Sequence, residues 1–205
     1  MYYFCRALVY IGLKIAYNLK FVGRENIPKK TPMIYCPNHR SYLDPPVVAL
    51  GARGKMAFMA KESLFRNKLF SWLISSLGAF PVSRGSGDLS VLDKSAEKIA
   101  EGKSLMIFPE GTRSKDGKVG KGHSGAAVIS AKSGAAIVPV GVIYGEKLRF
   151  RSRVVVKFGK PIPAEEYFTQ IGGEPDPRSL VKMKKRYMSE IKALVEGDEV
   201  KNEQS

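Results

Sequence analysis

The chain has 205 residues, 44% of them hydrophobic, two cysteines, and 34 Lys/Arg against 19 Asp/Glu, a formal net charge of +15. That length builds one domain with a sizeable core, and Cys5 and Cys36, outside any C-x-x-C or Cys/His pattern, argue against structural zinc and a disulfide framework. The basic excess belongs to residues 1–160, with 27 Lys/Arg against 10 Asp/Glu, and attracts an anionic partner; lacking regular basic spacing, interleaved aromatics or a zinc-finger pattern, it does not read as a nucleic-acid binder.

Residues 1–19 are apolar but interrupted by Arg6 and Lys14, leaving no run of the roughly 20 apolar residues that crosses a bilayer. At about 100° per residue, Arg6, Lys14 and Asn18 share one face and Phe4, Leu8, Ile11 and Ile15 the opposite one. With Tyr2, Tyr3, Tyr10 and Tyr17 available for a headgroup layer, the segment reads as an interfacial amphipathic helix facing an anionic membrane surface. The alternative is an ordinary helix packed on the domain. No small-x-small cleavage site follows, so a signal peptide is not indicated.

Short β-rich runs then recur at 32–36, 55–60, 79–83, 104–109, 135–144 and 153–159, with helix-like segments at 45–52, 67–77, 88–101 and 122–133 among them. The alternation predicts an α/β fold: a single domain, residues 20–197, with a mixed, largely parallel sheet flanked by helices. Asp44 is expected to cap the first of these helices and Pro45 suits its first turn. In 67–80, apolar nearly all round, Leu73 and Leu77 are expected in the core, while Phe65, Phe70 and Trp72 could wall an acyl-chain channel or touch a bilayer. A closing amphipathic helix is expected over 177–197, then a tail, 198–205.

Three stretches carry chemistry. In "PNHRSYLDPP" (37–46) a histidine at a strand end precedes an aspartate opening a helix. Such a carboxylate can hold one ring nitrogen and leave the other to take a proton, the base-and-orienter half of a catalytic triad; the spacing serves a structural histidine equally well. No serine or cysteine in a G-x-S-x-G setting accompanies it, so the hydroxyl to be activated belongs to a substrate. "IFPEGTRSKDG" (107–117) leaves a strand through a glycine turn bearing Glu110, Thr112, Arg113 and Ser114, which can offer N–H groups, hydroxyls and a guanidinium to a phosphate, or can be a solvated loop. "GAFPVSRGSG" (78–87) also brings an arginine, Arg84, off an apolar run, and the two arginines suit one shared anion. His123, with no acid near in sequence, is expected to face solvent.

His39-x4-Asp44, "GAFPVSR", "FPEGTRS" and "IVPVGV" stand in the order and approximate spacing of the four motif blocks of the glycerolipid acyltransferases, and the chain resembles that family, above all the 1-acylglycerol-3-phosphate acyltransferases, over residues 20–160. The resemblance implies acyl transfer to the sn-2 hydroxyl of lysophosphatidic acid from acyl-CoA or an acyl-carrier protein, with no metal and no bound cofactor. It implies His39 as base and Asp44 as its partner, with Asn38 and Ser41 supporting their loop. It assigns the acceptor's phosphate and glycerol to Arg84, Glu110, Gly111, Thr112 and Arg113, and places Lys61 near the reacting carbonyl, where a plain surface charge is the alternative. Val138, Pro139 and Val140 would shape the pocket. Peripheral attachment to the cytoplasmic side of the cell membrane is expected. Other acceptors (glycerol 3-phosphate, another lysolipid) and a non-catalytic protein binding anionic membranes are the competing readings.

Overall fold

The computed structural model describes residues 2–82, 90–114, 116–145 and 147–197. Seven strands form one sheet: β1 (Asn18–Val22), β2 (Ile34–Pro37), β3 (Met56–Lys61), β4 (Ala79–Val82), β5 (Ser104–Met106), β6 (Ile137–Ile143) and β7 (Arg153–Phe158). Their order is β1-β7-β6-β2-β5-β3-β4. Every neighbouring pair is parallel except β6 and β7. The sheet is therefore mixed and largely parallel, as expected, with β1 and β7 running against the other five.

The helices are α1 (Tyr2–Ala16), α2 (Asp44–Gly51), α3 (Lys68–Ser76), α4 (Ser90–Ala100), α5 (Gly125–Ser133) and α6 (Pro177–Glu196). Successive side chains on a strand point to opposite faces, and the two faces build two cores. Ile34, Cys36, Leu105 and Ile137 meet Ile99 of α4, Ile129 of α5, and Met183, Tyr187 and Ile191 of α6. Tyr35, Met106, Val138, Val140 and Val142 meet Val47 and Val48 of α2, with Tyr2 and Leu13 of α1 packed alongside. Val138, Pro139 and Val140 are buried in the sheet core. At Gly141 a side-chain carbon would stand 2.9 Å from Leu194 Cβ, so glycine is what lets α6 lie directly on β6.

Four local expectations change. The helix expected over 1–19 stops at Ala16, and Asn18 opens β1, an edge strand whose residues alternate between exposed and half-buried. Arg6 is not on a solvent face: its guanidinium donates to the carbonyls of Leu50 (3.0 Å), Ala52 (2.8 Å) and Gly54 (3.2 Å). Those carbonyls lie at the end of α2, where a cation also complements the helix dipole. Leu73 and Leu77 are only half-buried, because α3 has no fully buried residue and lies at the edge of the molecule. Finally, Asp44 is not a cap: it is the first residue of α2, Leu43 precedes it as the cap without a side-chain bond, and the carboxylate turns back towards the preceding loop.

Candidate active site

The carboxyl ends of β2, β3, β4, β5 and β6 share one edge of the sheet, and His39 leaves that edge two residues after β2 ends. Asn38 holds the departure point. Its buried amide donates to Val142 O (3.1 Å) and accepts from Val142 N (2.7 Å), pinning the end of β2 to β6. The chain then closes a tight turn, with Asp44 N donating to Ser41 O (3.3 Å).

Within this turn Asp44 is fully buried. Its Oδ2 accepts from Arg40 N (2.6 Å) and Ser41 N (2.7 Å) and meets His39 Nδ1 at 2.9 Å. A carboxylate oxygen so engaged can only accept, so Nδ1 carries the hydrogen and Nε2 keeps its lone pair. The imidazole stacks on Phe108 with centroids 4.0 Å apart and 28° between planes. Its side chain is 13% exposed, and no hydrogen bond from a described residue engages Nε2. Oδ1 of Asp44 accepts from the Tyr144 phenol at 3.4 Å. Burial, and then the charge of Asp44, pushes that phenol up to about 12, so it remains a donor across the neutral range. Arg40 completes the wall, donating to Tyr144 O (3.0 Å) with its guanidinium 4.5 Å from the Tyr144 ring centroid.

The segment after β5 grips the same loop. Glu110, nearly buried, accepts from His39 N through Oε1 (2.8 Å) and from Gly120 N through Oε2 (2.8 Å), while Ser114 N donates to His39 O (2.7 Å). Both backbone groups of His39 are thus tied to residues 110–114. Gly111 has φ 70°, the left-handed conformation that favours glycine and turns the chain outward. Beyond it Thr112 and Arg113 are exposed. Arg113 donates to the Tyr42 hydroxyl at 3.1 Å, with its guanidinium 3.9 Å from the Tyr42 ring centroid, which presents the fork at the mouth of the site.

The structure therefore brings together His39, Asp44, Asn38, Ser41, Glu110, Gly111, Thr112 and Arg113. Lys61 is exposed at the end of β3, two strands from β2. Arg84 lies outside the described residues. His123 is exposed as expected, yet its ring backs Gly111 and its backbone joins Pro109 O (2.8 Å) and the Tyr187 hydroxyl (2.6 Å). Sequence reasoning missed Arg40, Tyr42, Phe108 and Tyr144. The first two lay in plain view between His39 and Asp44; Tyr144 arrives from a strand a hundred residues away, with no local signal. Among the described residues no group of three or more His, Cys, Asp or Glu could hold a metal ion.

The model of the family described as Acyltransferase matches residues 18–143. A chloroplastic 1-acyl-sn-glycerol-3-phosphate acyltransferase of Arabidopsis thaliana is 37% identical over 128 residues, 60% of this chain and 35% of that protein. The enzyme of the same name from Streptococcus pneumoniae is 33% identical over 168 residues, 78% of this chain and 62% of that protein. The chain thus spans only about a third to three fifths of the length of these relatives. The crystal structure of the 1-acyl-sn-glycerophosphate acyltransferase PlsC from Thermotoga maritima superposes with a TM-score of 0.75 at 27% identity, covering 94% of this chain and 77% of that one.

Proposed function

The chain belongs to the acyltransferase family, and from that premise we propose that it moves a fatty acyl group from an acyl thioester to the sn-2 hydroxyl of 1-acylglycerol 3-phosphate, forming phosphatidic acid. The observation that carries this reading is the His39–Asp44 pair, held at 2.9 Å with Nε2 unengaged by any described residue.

Nε2 takes the proton of the acceptor hydroxyl as that oxygen attacks the thioester carbonyl, and Asp44 stabilises the imidazolium that forms. The tetrahedral intermediate collapses, the carbon–sulfur bond breaks, and the departing thiolate recovers the proton from His39. The products are an ester and a free thiol. A thiol with a reference pKa of about 8.5 leaves far more readily than an alkoxide, so collapse runs forward. Acyl transfer is direct, from donor to acceptor within one ternary complex. Glu110 serves by holding the His39 backbone. Gly111, Thr112 and Arg113 meet the acceptor's phosphate, and Arg84 joins them from the other motif block. Arg113, already held over the Tyr42 ring, suits bidentate recognition of phosphate oxygens.

The acceptor is a membrane lipid, and the outer face of α1 fits that source. Phe4, Leu8, Ile11 and Ile15 all stand in solvent on one side of the helix, with Leu69, Phe70 and Trp72 of neighbouring α3 also exposed. No described helix is long and apolar enough to cross a membrane. We assign this face to peripheral contact with the cytoplasmic leaflet, with α1 lying in the headgroup layer.

The test is thiol release by the purified protein from acyl-CoA and from acyl-carrier protein, offered 1-acylglycerol 3-phosphate, glycerol 3-phosphate and other lysolipids. Release with lysophosphatidic acid, abolished in a folded His39→Ala variant, is expected. Preference for another acceptor would reassign the substrate. Vesicle binding indifferent to His39→Ala, with no thiol release from any pair, would overturn catalysis in favour of a membrane-binding protein.

A further inference from the structure

We propose that the loop between β6 and β7 is a second membrane foot, seating the catalytic edge of the molecule on an anionic lipid surface beside α1. The proposal rests on the α1 membrane contact assigned above and adds a separate element to it.

The stretch from Tyr144 to Arg153 carries Lys147, Arg149, Arg151 and Arg153 against one acidic residue, Glu146. Its two apolar side chains part company. Leu148 packs inward on the sheet core, whereas Phe150 is 75% exposed. A lone exposed phenylalanine is ordinary on a soluble surface. This one is held out by a built turn.

Arg149 N donates to Ser152 Oγ (2.8 Å) and Ser152 N to Arg149 O (3.0 Å), closing the tip. Arg151 has φ 65°, the one positive value at a described residue other than glycine. A side chain there is strained, and such strain persists where neighbours over-determine the backbone. Here Arg151 N donates to Ala16 O, the last residue of α1, at 2.6 Å, and Asn18 N donates to Ser152 O at 3.0 Å. The tip is thereby locked to the end of α1.

Phe150 and Arg151, with Tyr10, Ile11, Lys14 and Ile15, line a groove of about 490 Å³ that continues the helix's outer apolar face. The chemistry of this rim selects its occupant. Apolar and aromatic groups stand beside Lys14 and Arg151, and no carboxylate of a described residue lines the groove. An anionic bilayer offers the complement: phosphates for the cations, and acyl chain for Phe150, Ile11 and Ile15.

The position gives the contact a use. Tyr144, where the loop begins, bonds to Asp44 and Arg40, and β7 begins at the sheet edge where β2 and β6 end. Foot and dyad share that edge, so a molecule standing on α1 and Phe150 presents its mouth to the leaflet carrying the acceptor.

The experiment measures sedimentation of the full chain with phosphatidylcholine vesicles, with and without phosphatidylglycerol, for wild type, Phe150→Ser, Arg151→Gly and Ile11→Ser/Ile15→Ser. Glycine accepts the backbone at 151, so Arg151→Gly removes the cation without opposing the turn. Phe150→Ser should weaken partitioning about tenfold. Arg151→Gly should weaken it about fivefold on anionic vesicles alone, an effect that fades with salt. Turnover of vesicle-borne acceptor should fall in parallel, with turnover of a short-chain, water-soluble lysophosphatidate unchanged and melting temperatures equal to wild type. Wild-type partitioning in both loop variants, with the α1 double variant impaired, would overturn the loop proposal and leave α1 standing; wild-type partitioning in all three would remove both. Weaker binding of acyl-carrier protein with vesicle binding intact would give the loop to the donor and overturn the lipid assignment. Soluble-acceptor turnover reports the acyltransferase reading separately.

Discussion

At the start of α2 a carboxylate is wholly buried, and along α1 four large apolar side chains stand in solvent. Asp44 tolerates its position because backbone N–H groups, an imidazole and a phenol surround it; a buried charge without such partners costs several kcal/mol (roughly 3–5 when one partner of a buried pair is removed). The face of Phe4, Leu8, Ile11 and Ile15 has no equivalent cover among the described residues. On the proposed reading, the difference separates chemistry completed within the fold from a surface completed by a lipid phase. Substitutions in the first region should alter turnover on every substrate, and those in the second only on substrates presented in a membrane.

The largest expected effect is at the dyad. His39→Ala should lower turnover on the order of 10^4-fold with circular dichroism unchanged, and Asp44→Asn on the order of 10^3-fold or more, because an amide both mis-sets the imidazole tautomer and faces two backbone N–H groups with too few lone pairs. Near-wild-type thiol release in either folded variant would dissolve the contrast at its centre. Next, Arg113→Ala should raise the acceptor KM about ten- to a hundredfold, leaving the donor KM little changed, with partial rescue by lysine. Comparing 1-acylglycerol with its phosphate ester sharpens this: equal losses on both would remove the phosphate assignment. Tyr42→Ala, which leaves the guanidinium unsupported, should give a smaller effect of the same kind, about two- to fivefold in acceptor KM. Glu110→Ala strands two backbone donors, His39 N and Gly120 N, and should both reduce kcat and lower the melting temperature; a folded-state desolvation cost of about 1–3 kcal/mol per orphaned group sets the scale. The smallest effect on chemistry is expected from Ile11→Ser/Ile15→Ser, which should leave soluble-acceptor kinetics and stability at wild type while vesicle binding falls. Loss of stability there would mean the face packs against protein.

Much of the fold was legible because its signals are local. Six of the seven strands fall within short apolar runs between turn residues, and helices α2 to α6 begin and end within a few residues of their predicted bounds. β1 was not: "NLKFV" earns its strand by pairing with β7, a partner 135 residues away at Asn18 and Arg153. The dyad and the Glu-Gly-Thr-Arg turn were legible by residue type and spacing. What the spacing could not convey was direction. Asp44 looked like a cap because aspartate at a helix start usually is one, but the His39 ring and the loop's own N–H groups compete for the same oxygens and win. Arg6 looked solvent-facing because helical periodicity assigns a face without saying which face meets the protein. Tyr144 reaches the site only through the sheet, so nothing within a short window announces it; Phe108 stands inside the quoted 107–117 stretch, where nothing marks its ring as the one that stacks on His39.

The three carbonyls held by Arg6 have a further consequence for how the molecule comes apart. With Met56 N donating to the Tyr2 hydroxyl (3.0 Å) and Cys5 buried, α1 and the end of α2 share their stabilising groups. They should open as one cooperative unit rather than as a fraying terminus and an independent core. In native-state hydrogen exchange, the amides in the last turn of α2 and those facing the domain in α1 should exchange with a common opening free energy, and Arg6→Met should split them into two. Because Asp44 begins the same short helix, any force that peels α1 away would loosen the catalytic carboxylate's own support, and the protein would lose activity before it lost its sheet.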